Sequence, residues 1–460
     1  MKIKNLPKSM DIIIDLSSIN AFFNQPSYVI MQRLLLLFGW IPVCFVFLWG
    51  ALQMWIFYIQ TKWGKTQKFI LLAIDIPRNN EQTMKAVENL FTYFGGAHGN
   101  KNLIEKYWIG EFQLDFSFEI VSIDGHTQFL IHSPEEFRNL VETAIYSQYP
   151  DAEITEVNDY TEGMPDKFPD DEYDIWGSEF IQANNPMYPI KTYKHFEHLI
   201  GETETQYKDT MASLMDLCSS LRKGEQLWFQ LLLTPIDFKW IEQGDREISK
   251  ILKEKIADDN IVDKAIKIFL QWLSDASETV YSMWGDIEDK EKEEDDVLKM
   301  MNLKPKEKKQ IEAIQEKISQ QGFETKIRFI YLAKKDVMNK PKVVNGFVGF
   351  MKQFVDLDLN NFKPDLDMTI TSTAYLLKDY RLNRRKNNII KGYKNRSTAI
   401  GRNQGLLNIE ELATLWHFPV EHVVKAPLIQ KTPGKKGKPP MYLPVSEKVV
   451  SEDIFETHAK

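Results

Sequence analysis

A chain of 460 residues with 43% hydrophobic and 12% aromatic content is large enough for two or three ordinary domains that bury a core, rather than one. A formal net charge of −8 excludes generic nucleic-acid binding by the whole molecule and leaves room only for a local basic face. The cysteines, Cys44 and Cys218, stand far apart, which excludes a disulfide ladder and a cysteine zinc site and suits a reducing compartment.

Residues 1–33 read as a tail distal to the cytosol. Residues 34–59 form an apolar run in which Gln53 is the strongly polar exception and no charge occurs. The run exceeds the roughly 20 residues needed to cross about 30 Å of hydrocarbon, so a single transmembrane helix is predicted. Trp40, Trp55, Phe57, Tyr58 and Trp63 suit the interfacial belts, and Pro42 is tolerated in a span. A cleaved signal peptide would be shorter and followed by a small-residue cleavage site. Lys62, Lys65, Lys68 and Arg78 outweigh Arg33, with Lys2, Lys4 and Lys8 farther off. The positive-inside bias therefore places residues after 60, the bulk of the chain, on the cytoplasmic side of the inner membrane.

Residues 67–160 predict a ferredoxin-like domain. A buried strand over 68–76 ends at Pro77. Met84, Val87, Leu90, Phe91 and Phe94 then recur at helical spacing until Gly95-Gly96. Phe112, Leu114, Phe116, Phe118 and Ile120 alternate with polar residues as in a half-buried strand, and Asp124-Gly125 turns it into a hairpin with 126–131. Ser133-Pro134-Glu135-Glu136 has the form of a capping box opening a helix with Phe137, Leu140, Val141, Ala144 and Ile145 on one face. A last strand over 152–157 completes β-α-β-β-α-β. Residues 161–225 read as a connecting segment with a helical stretch at 211–221. A second α+β domain is expected over 226–425. Its strands are 226–234 and 324–333, its helices carry Ile241–248–251, Ile311–314–318 and 343–354, and a helical, acidic insertion fills about 257–305. It has the outline of a second ferredoxin-like unit. Residues 426–460 read as a flexible tail. The fold class is α+β throughout.

Chemistry is sparse. The acidic run 286–296 lacks the ligand spacing and central glycine of a calcium loop. Gly64-Lys65-Thr66 matches the end of a phosphate loop, but Ile59 stands where the first glycine is needed and a membrane run precedes it. His195 with His198, and His417 with His422, lack a third zinc ligand. Cys218 lies in an apolar helical stretch. No catalytic, cofactor or metal residue is nominated, and the chain is read as non-enzymatic. The distinctive feature is the basic strip 378–402, with Lys378, Arg381, Arg384, Arg385, Lys386, Lys391, Lys394, Arg396 and Arg402 against one acid, Asp379, and with Tyr380 and Tyr393 interleaved. Such a strip suits nucleic-acid phosphates, anionic headgroups or an acidic protein surface.

Beyond it, Asn408 and Glu411 form a capping box before an apolar stripe of Leu412, Leu415 and Trp416, ended by Pro419. The run 328–333 (RFIYLA), Lys394-Asn395-Arg396-Ser397 and 407–419 together resemble the membrane-anchored module of bacterial type IV secretion-type proteins. That module precedes a conjugation-type DNA-translocating ATPase, in the same chain or as a separate protein. The resemblance spans about 30–425. This sequence stops at Lys460, where the ATPase of fused members begins, so it implies an adaptor without its own motor. The implied role is a membrane-anchored scaffold that recruits a partner ATPase in a translocation apparatus. The bilayer is its site, the ATPase its protein partner, and a homo-oligomer its state. The expected contact residues are Arg381, Arg384, Arg385, Lys386, Lys394, Arg396, Glu411, Leu415 and Trp416. The alternative is a membrane-tethered nucleic-acid-binding protein using 378–402.

Overall fold

The computed structural model describes residues 25–77, 82–200, 204–207, 209–252 and 303–419. The tail 1–24, most of the expected insertion with its acidic run, His422 and the tail 426–460 lie outside the described residues.

The chain divides into two compact units, one built from the chain up to Gln67 with Asn100–Phe112, the other from Lys68–Gly99 and the chain from Gln113 onward. The first contains helices α1 (Ser27–Phe38) and α2 (Trp40–Gly64) and one π-helical turn at Glu105–Ile109. The apolar run expected as one helix over 34–59 is therefore divided at Gly39, whose amide donates to the Leu35 carbonyl at 2.8 Å. Pro42 explains why a new helix starts there: without an N–H, it fits a first turn, where no intrahelical acceptor is required. The stretch long and apolar enough to cross a membrane shifts to Val43–Gly64, 22 residues. Most of its large side chains, among them Phe45, Phe47, Leu48 and Met54, are exposed.

The second unit is built on one antiparallel sheet. Its first half comprises β1 (Phe69–Asp75), α3 (Met84–Gly95), β2 (Phe116–Ile123), β3 (His126–Pro134), α4 (Arg138–Gln148) and β4 (Glu153–Glu156). Asp124 and Gly125, both at positive φ, make the tight β2–β3 turn that the Asp-Gly pair favours. Ser133 is not the cap of α4. It belongs to β3, its hydroxyl donating to the Pro134 carbonyl, and a 3-10 turn at Glu135–Phe137 leads into the helix.

The segment 161–225 proves to be more than a connection. It holds β5 (Tyr173–Gln182), the small hairpin β6 (Glu197–Ile200) and β7 (Glu204–Tyr207), and α5 (Ala212–Ser219). Then follow β8 (Glu225–Pro235), α6 (Ile241–Ile251), α7 (Pro305–Ile318), β9 (Gly322–Lys334), α8 (Lys340–Lys352), β10 (Phe362–Pro364), α9 (Lys378–Lys394), β11 (Gly405–Asn408) and α10 (Ile409–Leu415). The main sheet runs β10-β5-β9-β8-β2-β3-β1-β4, with β11 also on β9. Numbered within each half, both sets of four strands follow the order 4-1-3-2. They join antiparallel through their second strands, β2 and β8, with Ile120 opposite Phe229.

Residue parity divides the two faces. Phe116, Phe118 and Ile120 of β2, with Phe229, Leu231, Phe329 and Tyr331, meet α3, α4, α5, α8 and α10 in the main apolar core. On the other face Leu71, Val121, Trp228, Ile330 and Leu332 meet Ile389, Ile390 and Tyr393 of α9. Strand β2 is thus buried on both sides, Ser117 and Glu119 included, rather than half-exposed as its alternation predicted.

Candidate functional site

The polar positions of the central strands meet across the sheet. Glu119 on β2 lies opposite Gln230 on β8, Gln230 opposite Arg328 on β9, and Arg328 opposite Glu179 on β5. Gln230 Nε2 donates to Glu119 Oε1 at 3.0 Å, Arg328 Nη1 to Gln230 Oε1 at 3.3 Å, and Arg328 Nε to Glu179 Oε1 at 3.0 Å. All four are buried, so this ladder of charge and amide crosses the junction of the two halves out of water.

The C-terminal end of α9 and the loop after it are fastened to that ladder. Arg396 Nε donates to Glu119 Oε1 at 2.9 Å and its Nη1 to Asp159 Oδ2 at 2.6 Å. Arg328 reaches the carbonyls of Gly392 (2.9 Å) and Ile400 (2.7 Å), and Lys326 Nζ reaches Ile400 O at 2.9 Å. The Arg402 amide donates to Glu179 Oε2 at 2.7 Å. Gly401, at φ +100°, passes so close to Glu179 that a Cβ would lie 2.1 Å from its carboxylate, so only glycine fits. Arg396 itself adopts φ 47°, a left-handed conformation sustained by these bonds.

Burial and pairing set the titration of the group. Burial would raise the Glu119 carboxyl, but the Arg396 guanidinium, with His132 and the Ser117 hydroxyl, holds the group below the usual carboxylate range. His132 is pushed down to about 3, by burial first and by Arg396 second. Burial lowers Lys326 to about 8 and raises Asp115 to about 6, the latter against hydrogen bonds from Thr234 and Thr398.

The basic strip is therefore mostly structural. Arg385 holds the carbonyls of Ser372 (2.6 Å) and Asp367, Lys386 pairs with Asp174, and Lys394 pairs with Asp166 at 2.6 Å. Arg396 is buried as described, and Arg402 pairs with Asp365 and Asp367, each at 3.0 Å. Lys378, Arg381, Arg384 and Lys391 are exposed. Arg381, Arg384 and Lys391 fall within one narrow arc of α9 at about 100° per residue. Next to them Tyr375, Leu376, Leu377 and Tyr380 are exposed, with Tyr375 and Leu377 at φ 67° and 52°.

The other expected contact residues are not on the surface. Glu411, Leu415 and Trp416 are fully buried. The capping box forms as expected: Asn408 Oδ1 accepts from the Glu411 amide at 2.9 Å and Glu411 Oε2 from the Asn408 amide at 3.0 Å. Glu411 also pairs with buried Lys317 at 2.8 Å, and burial lowers the Lys317 ammonium despite that partner. Trp416 sits edge-on to Phe91, Phe118, Phe129 and Phe418. The stripe on α10 is apolar because it packs inward on α3.

The remaining sequence candidates have ordinary surroundings. Gly64-Lys65-Thr66 ends α2, where carbonyls rather than amides are left over, the reverse of a phosphate cradle. His417 bonds the Ala413 carbonyl (2.8 Å) and Asp209 (3.0 Å) in the interior, and His195 lies 3.4 Å from the Thr192 hydroxyl. Burial pushes the Cys218 thiol up to about 12, far from a thiolate at neutral pH. Sequence reasoning passed over Glu119, Glu179, Gln230 and Arg328. Their signal was a lone arginine inside the apolar run 328–333, which must find a buried partner.

Residues 77–422 match a family model described as Domain of unknown function (DUF8128). No curated protein matches the chain.

Proposed function

Because the chain belongs to the DUF8128 family, which is defined by a domain of unknown function, its role rests on its own architecture, and we propose that it is a non-enzymatic, membrane-anchored scaffold. In this reading it is an adaptor subunit of a type IV secretion-like translocation apparatus and recruits a partner ATPase. The observation that carries the reading is the union of an exposed apolar helix, Val43–Gly64, with an α+β body whose buried charges are matched internally. The bilayer holds the helix. Lys62, Lys65 and Lys68 at its C-terminal flank favour a cytoplasmic body at the inner membrane.

The 4-1-3-2 order in each half supports a ferredoxin-like reading of both. The outward face of α9 is the contact surface: Arg381, Arg384 and Lys391 beside Tyr375, Leu376 and Leu377 suit an acidic partner with an apolar centre. Nucleic-acid binding by 378–402 is the weaker reading, because Arg385, Lys386, Lys394, Arg396 and Arg402 are already bonded internally.

Purification of the full chain from detergent-solubilised membranes, with Arg381→Glu/Arg384→Glu/Lys391→Glu alongside, tests the role. Co-purification of a Walker-type ATPase that is lost in the triple variant is the expected result. Capture that ignores the variant removes α9 from the role, and ATP hydrolysis by the isolated chain overturns the non-enzymatic reading.

A further inference from the structure

The segment 100–112 interrupts the first half of the sheet between α3 and β2 and belongs to the same compact unit as α2. Its composition is unusual for an exposed loop. Leu103, Ile104 and Trp108 are 76%, 68% and 74% exposed, and Tyr107 and Ile109 are partly so. Large apolar side chains clustered on a short exposed segment carry a solvation cost that a soluble surface does not offset.

The loop is also held in place. Trp55 Nε1 on α2 donates to the Tyr107 carbonyl at 3.0 Å, and the Trp55 and Trp108 rings lie 6.1 Å apart. Gly110, at φ +89°, approaches the α2 backbone so closely that a Cβ would sit 2.5 Å from the Ile59 carbonyl carbon. Ile59 is correspondingly buried, at 5% exposure, on a helix where most of the described large side chains are exposed. Phe112 meets Trp63 edge-on at 5.0 Å. Glu105 is tied to Asn102 through the Asn102 amide (2.9 Å) and side chain (2.8 Å), and Lys101 pairs with Glu111 at 3.2 Å. The Lys101–Glu111 pair therefore joins the two ends of the segment, and the exposed apolar residues lie between them, with Lys106 exposed among them.

Position along α2 identifies what covers these residues. Trp55 precedes Gly64 by nine residues, about 13 Å at 1.5 Å per residue. With further contacts at Ile59 and Trp63, the loop accordingly lies alongside the C-terminal half of the candidate span, from its end into the acyl region of one leaflet.

We propose that Leu103, Ile104 and Trp108 form a membrane-insertion element. It seats in the leaflet that the C-terminal half of α2 crosses. The occupant is the lipid bilayer itself, and the surface continues that of the helix. Two points of attachment would stop the loop and the helix end from rotating independently about the membrane normal. The inference rests on the reading of Val43–Gly64 as a membrane span.

Nitroxide depth measurements on the full chain in phosphatidylcholine nanodiscs test it. Single labels are placed at Leu103→Cys, Trp108→Cys, Phe47→Cys and Lys223→Cys in a Cys44→Ser/Cys218→Ser background. The labels at 103 and 108 are expected to show oxygen-to-nickel accessibility ratios several-fold above that at 223, approaching that at 47. Labels at 103 and 108 as water-exposed as 223, with 47 in hydrocarbon, overturn the insertion element and leave the anchor intact. A water-exposed label at 47 overturns the anchor reading, and the insertion element with it. Using both 103 and 108 guards against loss of the Trp55 contact in the Trp108 variant.

Discussion

Replacing Arg396 with methionine leaves Glu119, fully buried, facing Gln230 and Tyr160 without a cation. Breaking one side of such a pair costs about 3–5 kcal/mol. Arg396→Met should destabilise the body to that extent in chemical denaturation, and Glu119→Gln added to it should restore part of the loss. The titrating neighbours give a signed pH dependence. His132 has a folded value near 3, below its ordinary 6.5, so its contribution is present above pH 6.5 and fades as pH falls toward 3. Asp115 runs the other way: a folded value near 6, above 3.8, favours the fold below pH 3.8 and is lost as pH rises through 6. Asp115→Asn should therefore raise the melting temperature at pH 8 and leave it unchanged near pH 4. A gain of equal size at both pH values would show that burial of the charge is not the cause.

At the scale of elements, α9 and α10 were both read as contact surfaces; α10 is buried, and of the basic residues of α9 only Lys378, Arg381, Arg384 and Lys391 are exposed. Trp416→Ala removes a side chain enclosed by four aromatic rings and should cost about 3–5 kcal/mol. Trp416→Phe should cost less, since the indole Nε1 has no hydrogen-bond partner among the described residues. Arg384→Glu, on the exposed face of α9, should change stability by no more than about 0.5 kcal/mol. The helix after Asn408 was legible because capping is a local signal, written in residues three apart. Its destination was not legible, because an apolar stripe looks the same whether it meets its own core or a partner. The alternation in β2 misled for a related reason: Glu119 and Ser117 have the polarity of a solvent face, and the cation that satisfies Glu119 lies at Arg396, far along the chain. Strand β5 was hidden by Asp174, Gly177, Ser178 and Glu179, residues that suit a loop unless a polar ladder and α9 cover them.

The second compact unit is built on one continuous sheet made of two halves with the same strand order. Its outer strands are short: β4 has four residues with glutamates at both ends, and β10 has three and ends at Pro364. Such edges resist further strand pairing, so partners of this body should meet faces and loops. What gives the architecture its meaning is the helix Val43–Gly64, and alkaline carbonate extraction of cells expressing the full chain tests it most directly. The chain should stay with the membrane pellet through carbonate and high salt and come out only with detergent. Recovery of the intact chain in the aqueous fraction would contradict the anchored scaffold.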